Sequence, residues 1–351
     1  MLNLVDVLLF FFLAVTALGL VRLRDLFAAT MLLSLFSLLS AGLFIVMDAV
    51  DVAITEAAVG AGISTMLLLA TLAITKRREK APRREVELVP LMVVLVVGGA
   101  LVWGTLEMPE YGDPDAPSQT SPMTRHFLEK SRDEVGAPNI VTSILASYRG
   151  YDTFGEATVI FTAAVGALML LGGRRPKDAR LKGSVLQPLN RQSLAGAGAD
   201  EMQPKELHLN RILEVATKSL VPFIMMFGLY VQFHGDYGPG GGFQAGVIFA
   251  TGVALYALVF GLTPAQRVLP PRLLEALLAL GVFLFGAIGL WTMVLGGNFL
   301  EYGVLSDGPL HGQHLGILLV ELAVGITVAA VMLALFFLFA GRGFCGPQRK
   351  R

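Results

Sequence analysis

Long apolar runs, separated by short polar segments, repeat from one end of the chain to the other. Nine of these runs approach or exceed the roughly 20 residues that a helix needs to cross the hydrocarbon core of a bilayer. They lie at residues 2–21, 26–47, 52–75, 86–106, 153–172, 213–233, 242–262, 273–295 and 315–340. The pattern predicts an all-α, polytopic membrane protein with about nine transmembrane helices. The first run has no basic leader and no small-residue cleavage site, so we expect it to be retained as a helix.

Lys and Arg concentrate in alternate connecting segments, which predicts the orientation of the chain. Of the 27 basic residues, 22 fall on one side and four on the other, and Lys218 lies inside a run. Because basic loops stay in the cytoplasm, we expect a multi-pass protein of the cytoplasmic membrane with its N-terminus outside and its C-terminus in the cytoplasm. An odd number of spans also requires the two ends to lie on opposite sides.

A segment without apolar periodicity, at residues 176–206, has the composition of a linker. It predicts a five-helix membrane unit at residues 1–175 and a four-helix membrane unit at residues 207–351. Within the first unit, residues 107–150 are expected outside the cytoplasm, with a short surface helix near residues 123–134.

Composition narrows the possible functions. The chain is 54% hydrophobic and only 15% charged, whereas soluble domains carry about a quarter charged residues. Its one cysteine, Cys345, cannot form an internal disulfide, an iron–sulfur site or a tetrahedral zinc site. We therefore expect no cofactor and no metal site. No soluble catalytic domain and no nucleic-acid-binding surface is recognisable, because membrane topology explains the basic clusters.

Ionisable residues inside the apolar runs are candidates for an ion or proton path, because a charge at membrane depth costs a few kcal/mol or more. Glu56 is surrounded by small residues that allow close helix packing; the alternative is an interfacial Glu bonded to a neighbour. Lys218 is a possible proton relay, or it reaches the interface and pairs with Glu214. Glu321 lies two turns inside the last run and leaves the same alternatives open.

Asp152 and Glu156 open the fifth run with i, i+4 spacing, so they share one face of the predicted helix. They are candidates for the same path. The alternative is that Asp152 caps the helix and Glu156 interacts with its positive N-terminus.

A glycine-rich loop at residues 233–244 joins the sixth and seventh runs. Glycines at this density, Gly240, Gly241 and Gly242 above all, can bring backbone groups to membrane depth. His234 and Asp236 add a titratable pair; the alternative is a tight external turn. His311 and His314, with Asp307, are predicted on the outer loop before the last run, where solvated histidines are commoner than metal ligands.

The glycine loop also carries a family resemblance. It reads His234-Gly-Asp-Tyr-Gly-Pro-Gly-Gly-Gly-Phe-Gln-Ala-Gly246, which resembles the B subunit of Mrp-type multisubunit Na+/H+ antiporters. Residues 296–300 and 319–328 resemble later parts of that subunit. Residues 51–59 and 139–156 resemble the C-terminal region of the A subunit, and the same region is similar to the five-helix J subunit of respiratory complex I.

The resemblance implies one subunit of a monovalent cation (Na+)/proton antiporter that contributes part of the ion-translocation path. It implies Na+ and H+ as transported ions, a hetero-oligomer with other antiporter subunits in the lipid membrane, and no enzyme activity of its own. It also implies that Asp152 and Glu156 occupy acidic positions involved in antiport. Glu56 departs from the A-subunit pattern towards membrane-bound hydrogenase-type complexes. A redox-coupled pump subunit is therefore one alternative, and a structural scaffold subunit is another.

Overall fold

The structure, a computed structural model, describes residues 4–72, 75, 77–79, 88–110, 112–171 and 204–342. Within these residues, nine helices are long and apolar enough to cross a membrane, which confirms the predicted all-α membrane fold. They are α1 (Leu4–Arg22), α2 (Leu26–Val46), α3 (Val50–Leu72), α4 (Leu88–Thr105), α5 (Gly150–Leu171), α6 (Pro204–His234), α7 (Gly242–Phe260), α8 (Pro271–Val294) and α9 (Pro309–Arg342). Most of the predicted linker lies outside the described residues, so the division into two units stays a prediction.

Short helical segments connect some of these spans. Pro122–Glu134 forms the surface helix that was predicted near its position. It is followed by Ile140–Thr142 and by a π-helical turn at Ser143–Tyr148. Two further pieces are Leu262–Val268 and the 3-10 turn Tyr302–Leu305.

Helix α9 is the central element of the bundle. It packs against α5, α7 and α8 and also contacts the second half of α3. In its most apolar stretch 61% of the residues are buried, whereas the corresponding value for α1 is 11%. By contrast, α4 has no buried residue. The helices of both predicted units therefore meet around α9, and α4 presents its whole surface outwards.

Glycine allows α7 and α9 to approach closely. A methyl group added at Gly246 would lie 2.7 Å from the carbonyl oxygen of Gly325 and 3.1 Å from the backbone nitrogen of Ala329. Such small residues let helix backbones come together in membranes, where van der Waals packing replaces the hydrophobic driving force.

Helix α3 contains a π-helical segment, Ala57–Ile63, where a regular helix was expected. It packs between α2 and α7. Hydroxyl groups bond to carbonyls within it: Ser34 Oγ donates to Ala61 O (3.3 Å) and Thr65 Oγ1 donates to Gly60 O (3.4 Å). Wider turns of this kind occur frequently at functional sites.

Helix α9 begins earlier than the apolar pattern indicated. The last run was placed from residue 315 because residues 311–314 are polar or small, yet the helix starts at Pro309. Proline suits the first turn of a helix, since its missing N–H would have no intrahelical partner there. The prediction that His311 and His314 lie on a loop was therefore wrong, because both are part of α9.

The segments that follow α1 and α3 lie at the same end of the bundle. Leu26 N donates to Arg77 O (2.9 Å), and Arg77 Nε donates to Asp25 Oδ2 (2.9 Å). This agrees with the up-and-down alternation that the sequence predicts for the first three spans.

The tight contact between α7 and α9 predicts that a larger side chain at Gly246 lowers the stability of the protein. Gly246→Ala forces a methyl group against the backbone of α9, and overpacking of this kind costs about 1–3 kcal/mol. We expect a lower melting temperature of the detergent-solubilised protein. Gly98→Ala in α4 is the matched control, because its methyl group meets no heavy atom within 4 Å. Equal melting temperatures for the two variants would contradict the packing described.

Candidate functional site

A cavity of about 330 Å³ lies where α3, α5, α7 and α9 meet the turn before α5. Three carboxylates line it: Asp51 from α3, Glu156 from α5 and Glu321 from α9. Among the other lining residues are Thr55, Thr142, Thr153, Gly240, Gly241, Gly242 and Gln244. Residues far apart in sequence, from both predicted units, therefore bring three carboxylates to one cavity whose lining is otherwise largely apolar.

The glycine loop forms one wall of the cavity. Gly241 has φ +118°, a backbone conformation that favours glycine. A methyl group added at Gly240 would lie 2.6 Å from the carbonyl oxygen of Val231, so no side chain fits there. The absence of side chains lets the Gly240 N–H donate to Asp51 Oδ1 (3.3 Å).

Glu321 extends from α9 to the same loop. Methyl groups added at Gly235 and Gly241 would lie 3.0 Å and 3.2 Å from its carboxylate oxygens, so the carboxylate lies against the loop backbone. The charges of Asp236 and Asp51 are both close enough to repel a charge on Glu321.

Among the described residues, no basic side chain pairs with these three acids. In the part of the chain that the structure describes, no Lys, Arg or His forms an ion pair with Asp51, Glu156 or Glu321. Neighbouring carboxylates in a poorly solvated site cannot all remain charged unless protons or cations compensate them. The arrangement is therefore chemically suited to binding protons or small cations.

A clamp from the first unit holds the glycine loop in place. Asn139 Nδ2 donates to Gly238 O (3.0 Å) and Gly235 O (3.3 Å), and Thr142 Oγ1 donates to Gly235 O (2.7 Å). The Asn139 N–H donates to Asp236 O (3.1 Å). On the cavity side, Gln244 Nε2 donates to Thr55 Oγ1 (2.9 Å) and so connects α7 to α3.

The surface helix Pro122–Glu134 is bound to the π-helical turn that follows this clamp. Tyr148 Oη donates to Glu134 Oε2 (2.5 Å), and His126 Nε2 lies 3.1 Å from the same oxygen. The Tyr148 hydrogen bond is the main cause that lowers the pKa of Glu134 below its usual value, and burial raises the pKa of Tyr148. Because the folded-state pKa of Glu134 is lowered, its stabilisation is present above the ordinary carboxylate pKa and is lost as the pH falls through the lowered value.

The structure separates the acidic pair at the start of α5. Glu156 lines the cavity, and its side chain is exposed at the surface of the chain. Asp152 is exposed as well, but it pairs with Arg149, whose Nε donates to Asp152 Oδ2 (2.6 Å). Asp152 does not cap the helix, because α5 already begins at Gly150. The roles of both residues remain predictions.

Three other predicted residues lie outside the cavity lining. The Glu56 carboxylate lies over Gly60, beside Ser37 of α2. Lys218 is exposed, and its Nζ lies 5.6 Å from the centre of the Phe260 ring. His234 stacks on Tyr230 with ring centres 4.9 Å apart.

Asp236 is near Glu321 but contacts another residue. Its Oδ2 lies 3.4 Å from His314 Nδ1, and its Oδ1 is buried without a hydrogen-bond partner.

Sequence reasoning did not select His314, Asp51, Thr55 or Gln244. Asp51 and Thr55 have the i, i+4 spacing of residues on one helix face, which is the signal that was available for them.

These features define a polytopic membrane protein with an acidic cavity among its helices. Residues 212–334 match the family described as "Domain related to MnhB subunit of Na+/H+ antiporter". Residues 11–77 match the family of the D subunit of MBH, and residues 92–190 match the family of the E subunit of MBH. The chain belongs to the family of Mrp-type antiporter subunits, and it has a fused A/B-type arrangement.

Individual relatives agree with this assignment. Antiporter subunit mnhB2 of Staphylococcus aureus (strain Newman) is 31% identical over 133 residues, which are 37% of this chain and 94% of that protein. The A/B subunit of a K(+)/H(+) antiporter from Rhizobium meliloti is 26% identical over 285 residues, 77% of this chain and 27% of that one. A chain in the structure of the Mrp complex from Dietzia sp. DQ12-45-1b matches with TM-score 0.74 and 25% identity over 99% of this chain and 36% of that chain. The chain thus spans about a quarter of the Rhizobium protein and about a third of the matched chain of the Dietzia complex.

The hydrogen bonds from Asn139 predict that substitutions at this residue destabilise the glycine loop. Asn139→Asp keeps the oxygen that accepts from Val141 N (3.0 Å), but it turns a carboxylate oxygen towards two carbonyl groups. Asn139→Ser keeps a short capping side chain and removes the amide group that donates to the two loop carbonyls. Because unpaired buried polar groups cost about 1–3 kcal/mol, we expect melting temperatures to fall in the order wild type, Asn139→Ser, Asn139→Asp. A variant Asn139→Asp as stable as the wild type would show that these hydrogen bonds do not hold the loop.

Proposed function

We propose that this chain is one ion-translocation subunit of a multisubunit monovalent cation/proton antiporter, and that the acidic cavity is part of its ion path. The observation that carries the proposal is the convergence of Asp51, Glu156 and Glu321 on one cavity without a basic partner among the described residues. Carboxylates in such a site exchange protons and cations because each binding event relieves their mutual repulsion.

The depth of the cavity supports a transport role. Glu321 is the thirteenth residue of α9, which places it roughly 18 Å along the helix axis at 1.5 Å per residue. Glu156 lies one to two turns into α5. With the N-terminus outside and the C-terminus in the cytoplasm, as the basic loops predict, α3, α5, α7 and α9 all begin on the outer side. The cavity then occupies the outer half of the cytoplasmic membrane.

Other subunits are needed for this function. The Glu156 carboxylate is exposed at the mouth of the cavity, and a charge facing lipid at this depth is expensive. Helix α4 likewise buries none of its residues against the rest of the chain. We propose that partner subunits of the antiporter cover the cavity mouth, in keeping with the names of the relatives, which are subunits or a complex.

The remaining predicted residues have more peripheral positions. Glu56, beside the π-helical segment of α3, is a candidate relay behind the cavity wall. A methyl group added at Gly238 of the glycine loop would lie 2.8 Å from His234 Nε2, so the role proposed for His234 is to help hold the loop. Lys218, exposed near the middle of α6, is a candidate for contact with a partner or, through its long side chain, with the lipid interface.

A second candidate function is the same membrane module coupled to a redox enzyme. The matches to the D and E subunits of MBH across the first half favour it. Purification of the native complex through a tag on this chain, followed by measurement of nickel, iron and acid-labile sulfide, distinguishes the two. A complex that contains these elements in stoichiometric amounts supports the redox-coupled assembly, and their absence supports the antiporter.

The cavity predicts which acids are needed for transport. We expect Glu321→Gln and Glu156→Gln to reduce cation-dependent dissipation of the pH gradient by about 100-fold or more, the usual scale of a proton-transfer group. Everted membrane vesicles from an antiporter-deficient host that expresses the whole operon provide the measurement. Asp152→Asn is the matched variant, because it neutralises an acid on the same helix that pairs with Arg149 outside the cavity. We expect it to retain most of the activity.

Amounts of each subunit in the membrane, measured by immunoblot, control for assembly. Normal transport by both Gln variants in an intact complex would refute a role for the cavity and favour the scaffold alternative. Loss of activity in Asp152→Asn alone would instead place the ion path at the start of α5.

A further inference from the structure

Near the cavity, a second group of polar side chains lies where α9 begins. His314 and Asp236 form a contact of 3.4 Å between Nδ1 and Oδ2, with side-chain exposures of 37% and 18%. The imidazole is therefore the more exposed of the two groups, and the carboxylate is deeper in the protein.

The surroundings hold the His314 ring in place. Gly136 has φ +85°, and a methyl group added there would lie 3.1 Å from His314 Nε2. A glycine from the segment before α5 therefore makes room for the imidazole. Next to His314, Ser147 Oγ donates to Gln313 Oε1 (2.8 Å), which joins the π-helical turn to the same part of α9.

Asp236 has an unused acceptor. Its Oδ1 is buried without a hydrogen-bond partner, whereas its Oδ2 faces His314. Burial of an unpaired carboxylate oxygen is costly unless a proton or another ligand satisfies it for part of the time. The position is thus suited to transient protonation.

The deeper end of this arrangement is Glu321. It follows His314 by seven residues, so the two lie on the same face of α9 about 10 Å apart along the axis. The Glu321 carboxylate lies against Gly235, the residue before Asp236, and is within range of the Asp236 charge. His314, Asp236 and Glu321 therefore form a series that leads from an exposed edge to the cavity.

We propose that His314 is the proton-entry residue of the cavity and that Asp236 relays protons between His314 and Glu321. This inference rests on the proposed function. A proton taken up from the aqueous side gives an imidazolium; its Nδ1 proton moves to Asp236 Oδ2 and leaves a neutral imidazole and a carboxylic acid. The proton then passes to Glu321, and Asp236 returns to its carboxylate form.

The geometry allows the first transfer after a small movement. The distance of 3.4 Å exceeds the usual range of about 2.7–3.2 Å for N–H···O bonds, and contacts between catalytic groups often tighten only during the reaction. For the second transfer, the Glu321 carboxylate lies against Gly235, the residue before Asp236, and a single bridging water would suffice to carry the proton onwards.

Two variants of His314, in the complete complex, test the relay. Glutamine retains a hydrogen-bonding side chain but takes up no proton at neutral pH, so we expect His314→Gln to lower the transport rate at least about tenfold. His314→Ala should be equally slow, and added imidazole should restore a large part of its rate. Pyrazole, which has the same size but stays unprotonated at neutral pH, should restore none. His311→Ala, an exposed histidine one turn earlier on α9, should behave as the wild type.

Each alternative result overturns the relay. Full activity of His314→Gln would show that only a hydrogen bond is needed, and equal rescue by pyrazole would show that the ring only fills space. If Glu321→Gln abolishes transport while both His314 variants remain active, the cavity keeps its proposed function and protons enter elsewhere. If Glu321→Gln is itself fully active, the proposed function of the cavity is refuted, and the relay that rests on it is refuted as well.

Discussion

The structure depends on the placement of several carboxylates around one cavity between helices. Asp51, Glu156 and Glu321 come from three helices, and the charges of Asp51 and Asp236 oppose a charge on Glu321. Two features oppose the repulsion: the Gly240 N–H, which donates to Asp51, and the N-terminal ends of α3, α5 and α7, whose dipoles favour negative charge. Neither supplies a full positive charge, so protons or cations remain the natural partners of the cluster.

Glycine determines where this cluster can form. Side chains at Gly240 or Gly242 would collide with the backbone of α6 or α9, so the loop could not lie against Glu321. The loop alone would not keep this position either, because its carbonyls are held by Asn139 and Thr142 from the other predicted unit. The site is therefore a product of the packing between the units, and neither half contains it alone.

Sequence reasoning recovers the helices and part of the site, for identifiable reasons. Membrane spans are set by apolar length, so all nine could be predicted, and Glu156, Glu321 and the three glycines stood out from their apolar surroundings. Asp51 did not, because it lies at the edge of its run and looks interfacial. Glu56 follows it by five residues, about 140° further round a regular helix, and no pattern in α3 tells which of the two faces α7. His314 was missed because the helix was predicted from its apolar residues, and its polar first turns carry no such signal.

The exposed position of Glu156 would link assembly to the proposed function. In the chain alone, its carboxylate opens towards the surface through the mouth of the cavity, where lipid would impose a cost of a few kcal/mol or more on the charged form. A partner helix over this mouth would change both the solvation of Glu156 and the access of ions to Glu321. Contact with a partner would then switch the cavity from an open acidic cleft to an enclosed binding site, since enclosure strengthens every electrostatic interaction within it.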